Sequence, residues 1–119
     1  MRVERELMRG AGPLAVLKLL ENGEKYGYQL VESLAKQSDG VLAMGQSTLY
    51  PMLYNLEAKG LIRATWRESD SKRKRKYYCL TDRGHKKLIK DTQQWEALTA
   101  AMISLGVIAP SASVREALT

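Results

Sequence analysis

The sequence predicts an α+β fold, mostly α, in which helices fill the first half, a two-stranded hairpin follows, and one long helix closes the chain. Three observations predict it. Leu49, Met52, Leu53 and Leu56 recur at helical spacing within QSTLYPMLYNLEAKGLI, Gln46 to Ile62. Two β-prone runs flank the basic stretch SDSKRKRKYY, Ser69 to Tyr78. Further on, apolar residues advance by threes and fours from Leu88 to Leu105. A chain of 119 residues suits one compact domain plus at most one extra helix, with enough interior to dispense with disulfides.

Composition narrows the function. The single cysteine, Cys79, has no partner for an internal disulfide, and no apolar stretch reaches the length of a membrane span or signal peptide. A reducing cytoplasm and no membrane partner are expected. Net charge is +6, with much of the excess in Lys72, Arg73, Lys74, Arg75 and Lys76, which points to nucleic acid or another anionic surface. Enzymatic chemistry finds little support. His85 is the only histidine, it stands six positions from Cys79, and the additional ligands of a metal site are missing. No phosphate-cradling loop or nucleophile elbow is present, so neither catalytic residues nor a cofactor are expected.

Taken in order, Leu7 and Met8 mark a short lead-in helix, and a second helix carrying Leu14, Leu17 and Leu20 begins near Pro13, since proline is best tolerated in a first turn. Asn22 and Gly23 stop it. The next helix spans about Tyr26 to Gln37, turns Leu30, Val31 and Leu34 inward, and ends at Ser38, Asp39 and Gly40. Ser47 is the expected N-cap of the third, which closes at Lys59 and Gly60. Pro51, four positions after that cap, would remove the first intrahelical hydrogen bond and disfavour helical geometry at Tyr50. Local rules are broken most often at functional sites, with an irregular helix start of no special role as the alternative. From Leu61 to Glu68, Ile62, Ala64 and Trp66 alternate with polar residues as a half-buried strand, and Tyr77 to Leu80 form the second. Thr81 caps a final helix running to about Leu105.

Helix, helix, helix, hairpin is the order of a winged helix-turn-helix. The expected division is residues 1–81 as that domain, 82–106 as a dimerisation helix and 107–119 as a tail, in which Pro110 breaks the helix and Ser113 with Glu116 forms a capping box.

Helical spacing leaves Gln46, Ser47, Thr48, Tyr50, Tyr54 and Asn55 largely off the core, and a helix showing hydroxyls and amides suits the edges of bases. The amides of Gln46 and Asn55 match adenine, Ser47 and Thr48 fit bases or phosphate, and Tyr50 and Tyr54 fit phosphate, with Tyr50 alternatively turning to the core. The cationic run from Lys72 to Lys76 would supply affinity more than sequence choice. The stripe of Leu88, Trp95, Leu98, Met102 and Leu105, broken only by Asp91, makes a coiled-coil-like seam for a second copy of the chain, or alternatively for its own domain. A homodimer would place two recognition helices roughly 34 Å apart on an inverted-repeat operator in double-stranded DNA. The alternative of a different class is a winged-helix module that binds RNA or protein without reading duplex DNA.

Four motifs in order and spacing carry a family resemblance: GY at Gly27 and Tyr28, TLYP from Thr48 to Pro51, LEAKGLI from Leu56 to Ile62, and KYYCLTDRG from Lys76 to Gly84. Over roughly residues 5 to 105 the chain resembles the PadR family of transcriptional regulators, in particular its small members with one C-terminal dimerisation helix, including multidrug-responsive repressors. The resemblance implies that Tyr28 lies near the DNA face or packs beneath it, and that the protein represses transcription. It also implies a hydrophobic effector pocket between the first and last helices, walled by Leu7, Met8, Trp95, Leu98 and Met102, where a planar apolar molecule would stack on the indole. Dense packing without a cavity is the competing arrangement. Family wings have glycine at the tip, where this chain reads Ser69, Asp70, Ser71, Lys72.

Overall fold

A computed structural model describes residues 1–68 and 70–110. Two compact units divide the chain, Met1 to Leu88 and Ile89 onward. The first contains α1 (Arg5–Leu19), β1 (Lys25–Tyr26), α2 (Gly27–Gln37), α3 (Gln46–Ala58), β2 (Ile62–Glu68), β3 (Lys74–Leu80) and the start of α4 (Asp82–Ser104). This is the mostly helical α+β winged helix anticipated from the sequence.

Its core is aliphatic: Val16, Leu17, Leu30, Leu49, Leu53 and Ile62 are each 2% exposed or less. Burial of this stripe explains the first departure from expectation. Instead of a lead-in helix and a second helix starting at Pro13, α1 is continuous, with Pro13 inside it. Proline costs one hydrogen bond to the preceding turn. Met8, Gly12, Val16 and Leu17 nevertheless share one buried face, which ties both halves to the same core. α1 also ends earlier than expected, at Leu19, and the turn before Gly23 is non-helical.

The second departure concerns α3. Gly45, not Ser47, is its N-cap, and the Gly45 carbonyl accepts hydrogen bonds from Thr48 N–H at 3.1 Å and Leu49 N–H at 3.0 Å. No side chain caps this helix start. Starting earlier places Pro51 in the second turn of a continuous helix, where Leu49, Leu53 and Leu56 hold the segment to the core. Tyr50 is therefore helical despite preceding proline. The closing signal is as expected, with Gly60 in the left-handed region at φ +74°.

The sheet has the order β1-β3-β2, all antiparallel. β1 was not expected, because two residues are too few to show alternation. It pairs Lys25 with Tyr78 and Tyr26 with Tyr77. β3 begins at Lys74 instead of Tyr77, so three of the five cations predicted in the hairpin tip belong to a strand. β2 follows the expected alternation through Ile62 and Ala64, and then departs from it. Trp66, expected to point inward, is 66% exposed, since beyond Thr65 the residues of β2 are exposed on both faces. At the tip Lys72 takes a left-handed φ of 61°, a conformation that favours glycine, at a cost of about 1–2 kcal/mol for a residue with a Cβ.

Thr81 caps α4 as expected. Its Oγ1 accepts from Gly84 N–H at 3.0 Å and donates to the Gly60 carbonyl at 2.6 Å, which fastens the end of α3 to the start of α4. Approach is so close there that a Cβ on Gly84 would lie 2.0 Å from the Leu61 carbonyl oxygen. Leu88, read from the sequence as the first residue of the intermolecular seam, is 3% exposed and belongs to the core of the first unit. In the second unit Trp95, Leu98 and Leu105 are exposed and Met102 is half-buried. The capping box at Ser113 and Glu116 lies outside the described residues, as does Ser69.

Candidate nucleic-acid interface

Along α3 the inward stripe is apolar and the outward face is not. Gln46, Ser47, Thr48, Tyr50, Tyr54 and Asn55 are all exposed, Tyr54 most of the large side chains at 72%. Two clefts of about 610 Å³ each border this helix, one on either side. They divide the sequence-predicted residues between them.

The first cleft lies between α2, α3 and the hairpin and gathers Tyr28, Tyr50, Trp66, Lys74, Arg75 and Lys76. Tyr50 reaches it by lying across the first residue of α2: a Cβ on Gly27 would come within 2.6 Å of the Tyr50 hydroxyl. That contact gives the GY and TLYP motifs a joint structural cause. It also settles the orientation of Tyr50, which packs on Gly27 and keeps 43% of its surface exposed.

Arg67, Arg75 and Lys76 of the hairpin are held in place. Arg67 and Arg75 face each other directly across β2 and β3, an arrangement that would repel if left bare. Arg67 instead pairs with Glu24 at 2.9 Å and lies 6.0 Å from the Tyr77 ring centroid, and the Arg75 guanidinium sits 4.4 Å over Tyr26. Tyr26 and Tyr77 meet edge to face at 5.4 Å. Lys76 is 5.6 Å over Tyr78 and 3.7 Å from a Glu57 carboxylate oxygen. Burial, followed by the Glu57 and Tyr50 charges, raises the Tyr78 phenol above its ordinary value. The Tyr28 phenol is raised by its hydrogen bond to Glu32 and by that carboxylate's charge. Both tyrosines therefore stay neutral donors well above physiological pH.

The second cleft lies between α1 and α3. Arg5, Met8 and Arg9 line it from one side; Thr48, Met52, Asn55 and Lys59 are among its α3 residues, with Ser47 and Pro51 at the outer edge of the same stripe. Gln46, Tyr54, Lys72 and Arg73 line neither cleft and are exposed. Of the residues anticipated for an effector pocket, Leu7 is 63% exposed while Met8 is 8% exposed and faces the α1–α3 cleft; Trp95, Leu98 and Met102 lie in the second unit. Sequence pattern did not single out Tyr26, Trp66 or Tyr78 on one flank, or Arg5, Arg9 and Lys59 on the other. A scan for cations four apart would have found the α1 pair.

Among the described residues, no group of three or more His, Cys, Asp and Glu is placed to hold a metal, and no helix is long and apolar enough to cross a membrane.

A polar helix standing on an aliphatic core beside a cationic hairpin defines a winged-helix nucleic-acid-binding protein. The comparisons make the class specific. The profile of the transcriptional regulator PadR-like family matches residues 16–90, and the chain belongs to that family. It is 38% identical to a PadR family transcriptional regulator from Eggerthella lenta, with 84% of this chain and 85% of that one covered at a TM-score of 0.73. A Streptococcus transcriptional regulator is 31% identical over 87% of this chain and 99% of its own, at a TM-score of 0.76. The transcriptional regulator Rv3488 of Mycobacterium tuberculosis is 32% identical over 83% of this chain and 89% of its own length. The protein is accordingly a transcriptional regulator that binds DNA, and not an enzyme.

Proposed function

We propose that the protein is a cytoplasmic homodimeric repressor that reads an inverted-repeat operator with α3, fixes its register through the hairpin, and is released by a planar apolar effector. One observation carries the DNA reading: uncharged hydrogen-bonding side chains at Gln46, Ser47, Thr48, Tyr54 and Asn55 stand exposed in a row on a helix flanked by cations. Hydroxyls and amides discriminate base edges, while Lys72, Arg73, Lys74, Arg75 and Lys76, together with the Tyr28 and Tyr50 hydroxyls, meet phosphates without regard to sequence.

Dimerisation is supported by the exposed apolar surface of α4, where Trp95, Leu98 and Leu105 leave 38%, 46% and 76% of their area to solvent. Such a stripe on a small chain is most economically covered by its own copy. The first two turns of α4 take no part in that seam, because Leu88 is in the core. An effector at Leu7, Trp95, Leu98 and Met102, without Met8, which faces the α1–α3 cleft, would act by favouring a dimer whose recognition helices no longer match the groove spacing; only a difference in affinity between the two spacings regulates anything.

Selection of bound duplexes from random DNA, followed by footprinting, tests the proposal. Two half-sites centred about one helical turn apart are expected. Equal, weak, salt-sensitive binding to every duplex would overturn operator recognition, and a monomer by sedimentation would overturn the two-fold arrangement. Trp95→Ala should abolish calorimetric binding of planar apolar compounds, and any loss of operator affinity should follow the loss of dimer seen by sedimentation.

A further inference from the structure

We propose that the cleft between α1 and α3 is a second track for the DNA backbone, in which Arg5, Arg9 and Lys59 hold the sugar–phosphate strand on the flank of α3 away from the hairpin. This rests on the reading of α3 as the helix that enters the major groove.

The helical wheel separates the flanks. At 3.6 residues per turn, Lys59 lies about half a turn around α3 from Tyr50, with Ser47, Pro51 and Tyr54 between them. Tyr50 lines the hairpin cleft and Lys59 the α1 cleft. A major groove roughly 12 Å wide that admits a helix has a phosphate strand on each side of it. The hairpin supplies cations to one strand. Of the cations that line the opposite flank, α1 supplies two and α3 supplies Lys59.

Charge in the lining of the α1 cleft is of one sign. No carboxylate is among its lining residues, and the ion pairs found between described residues join Lys18 to Glu21, Arg67 to Glu24 and Lys76 to Glu57. Arg5 and Arg9, four residues apart, project from one face of α1 and are exposed. Leu7 stands on the opposite face of that helix, so the arginines do not share a surface with it.

The shape suits a strand. The α3 wall runs from Ser47 to Lys59, twelve residues or about 18 Å, as an open trough with Met8 and Met52 on its floor. Thioethers and proline give deoxyribose an apolar bed, the guanidinium forks match phosphate oxygens, and the Thr48 hydroxyl donates from the same wall. A compact ligand would leave much of that length empty.

Anisotropy titrations of the full chain on its selected operator and on a scrambled duplex, between 50 and 200 mM salt, test this. In R5Q/R9Q and in K59Q, affinity for both duplexes should fall by similar factors, and the slope of log K against log salt should shrink by about 0.9 for each phosphate that is no longer neutralised. Arg9→Lys should keep the slope, since charge is retained. Lys18→Gln, outside the cleft, should match wild type, and circular dichroism should show α1 intact in every variant. Wild-type slopes in R5Q/R9Q and K59Q alongside a reduced slope in K74Q/R75Q/K76Q would overturn the second track and leave the hairpin reading standing. A loss confined to the operator with no change of slope would also overturn it, as base readout instead of backbone binding. Absence of any salt-dependent duplex binding by the wild type would overturn both readings together.

Discussion

The two flanks of α3 differ in how their positive charge is held. On the hairpin side two of the three β3 cations that line the cleft have a neighbour to fix them: Arg75 lies over Tyr26, and Lys76 lies over Tyr78 and beside Glu57. On the α1 side Arg5, Arg9 and Lys59 line a cleft free of carboxylates. Ordered cations lose less side-chain entropy on binding, but those beside an acid must first give up that partner; free cations start with no competitor and more freedom to lose. One flank is thus built for register and the other for reach.

The largest expected effect breaks both flanks at once. Gly84→Ala would drive a Cβ to 2.0 Å from a backbone oxygen that cannot move far, at the junction of α3, β3 and α4, and should cost about 3 kcal/mol in a urea melt. Gly27→Ala touches one flank only. Its Cβ meets the mobile end of the Tyr50 ring, so about 1–2 kcal/mol of stability is expected, together with weaker DNA binding and an unchanged contribution from Arg5 and Arg9.

Between the flanks, Asn55→Ala should lower the preference for one base of the half-site by about 1–3 kcal/mol in competition binding, and leave the salt slope near its wild-type value. A uniform loss on all sequences would move Asn55 from base reading to backbone binding.

The smallest effect sharpens the contrast in pre-engagement. Both Glu57 and Lys76 are more than one-third exposed, so solvent screens their pair, and freeing the lysine by Glu57→Gln should tighten DNA binding about two- to three-fold at low salt and negligibly at high salt. Because Glu57 also raises the Tyr78 phenol, after burial, the same variant should titrate at lower pH by ultraviolet absorbance. The folded state holds this proton more tightly than the unfolded chain. Its contribution to stability is therefore complete below about pH 10 and is lost as pH rises through the folded value, and less is lost in the variant.

Much of this architecture was legible in the chain because its signals are local. The stripe of Leu49, Leu53 and Leu56 fixed which α3 residues face outward, and Thr81 and Gly60 marked helix ends that the structure keeps. What escaped was set by tertiary packing. Pro13 read as a helix start and Pro51 as a disturbance of helical geometry at Tyr50, yet burial on both sides carries the helices through them. Trp66 alternated like a core residue, but β2 outruns the helices that would have covered it. The α1 arginines carried no motif at all, and only the packing of α1 beside α3 brings them to the recognition helix.

Gly45 has no side-chain oxygen to offer the leading amides of α3, where an asparagine or serine would have closed the turn. The start of the reading helix is therefore held by the burial of Leu49 and Leu53 and not by a cap, and Gly45→Asn should add only about a few tenths of a kcal/mol to the fold.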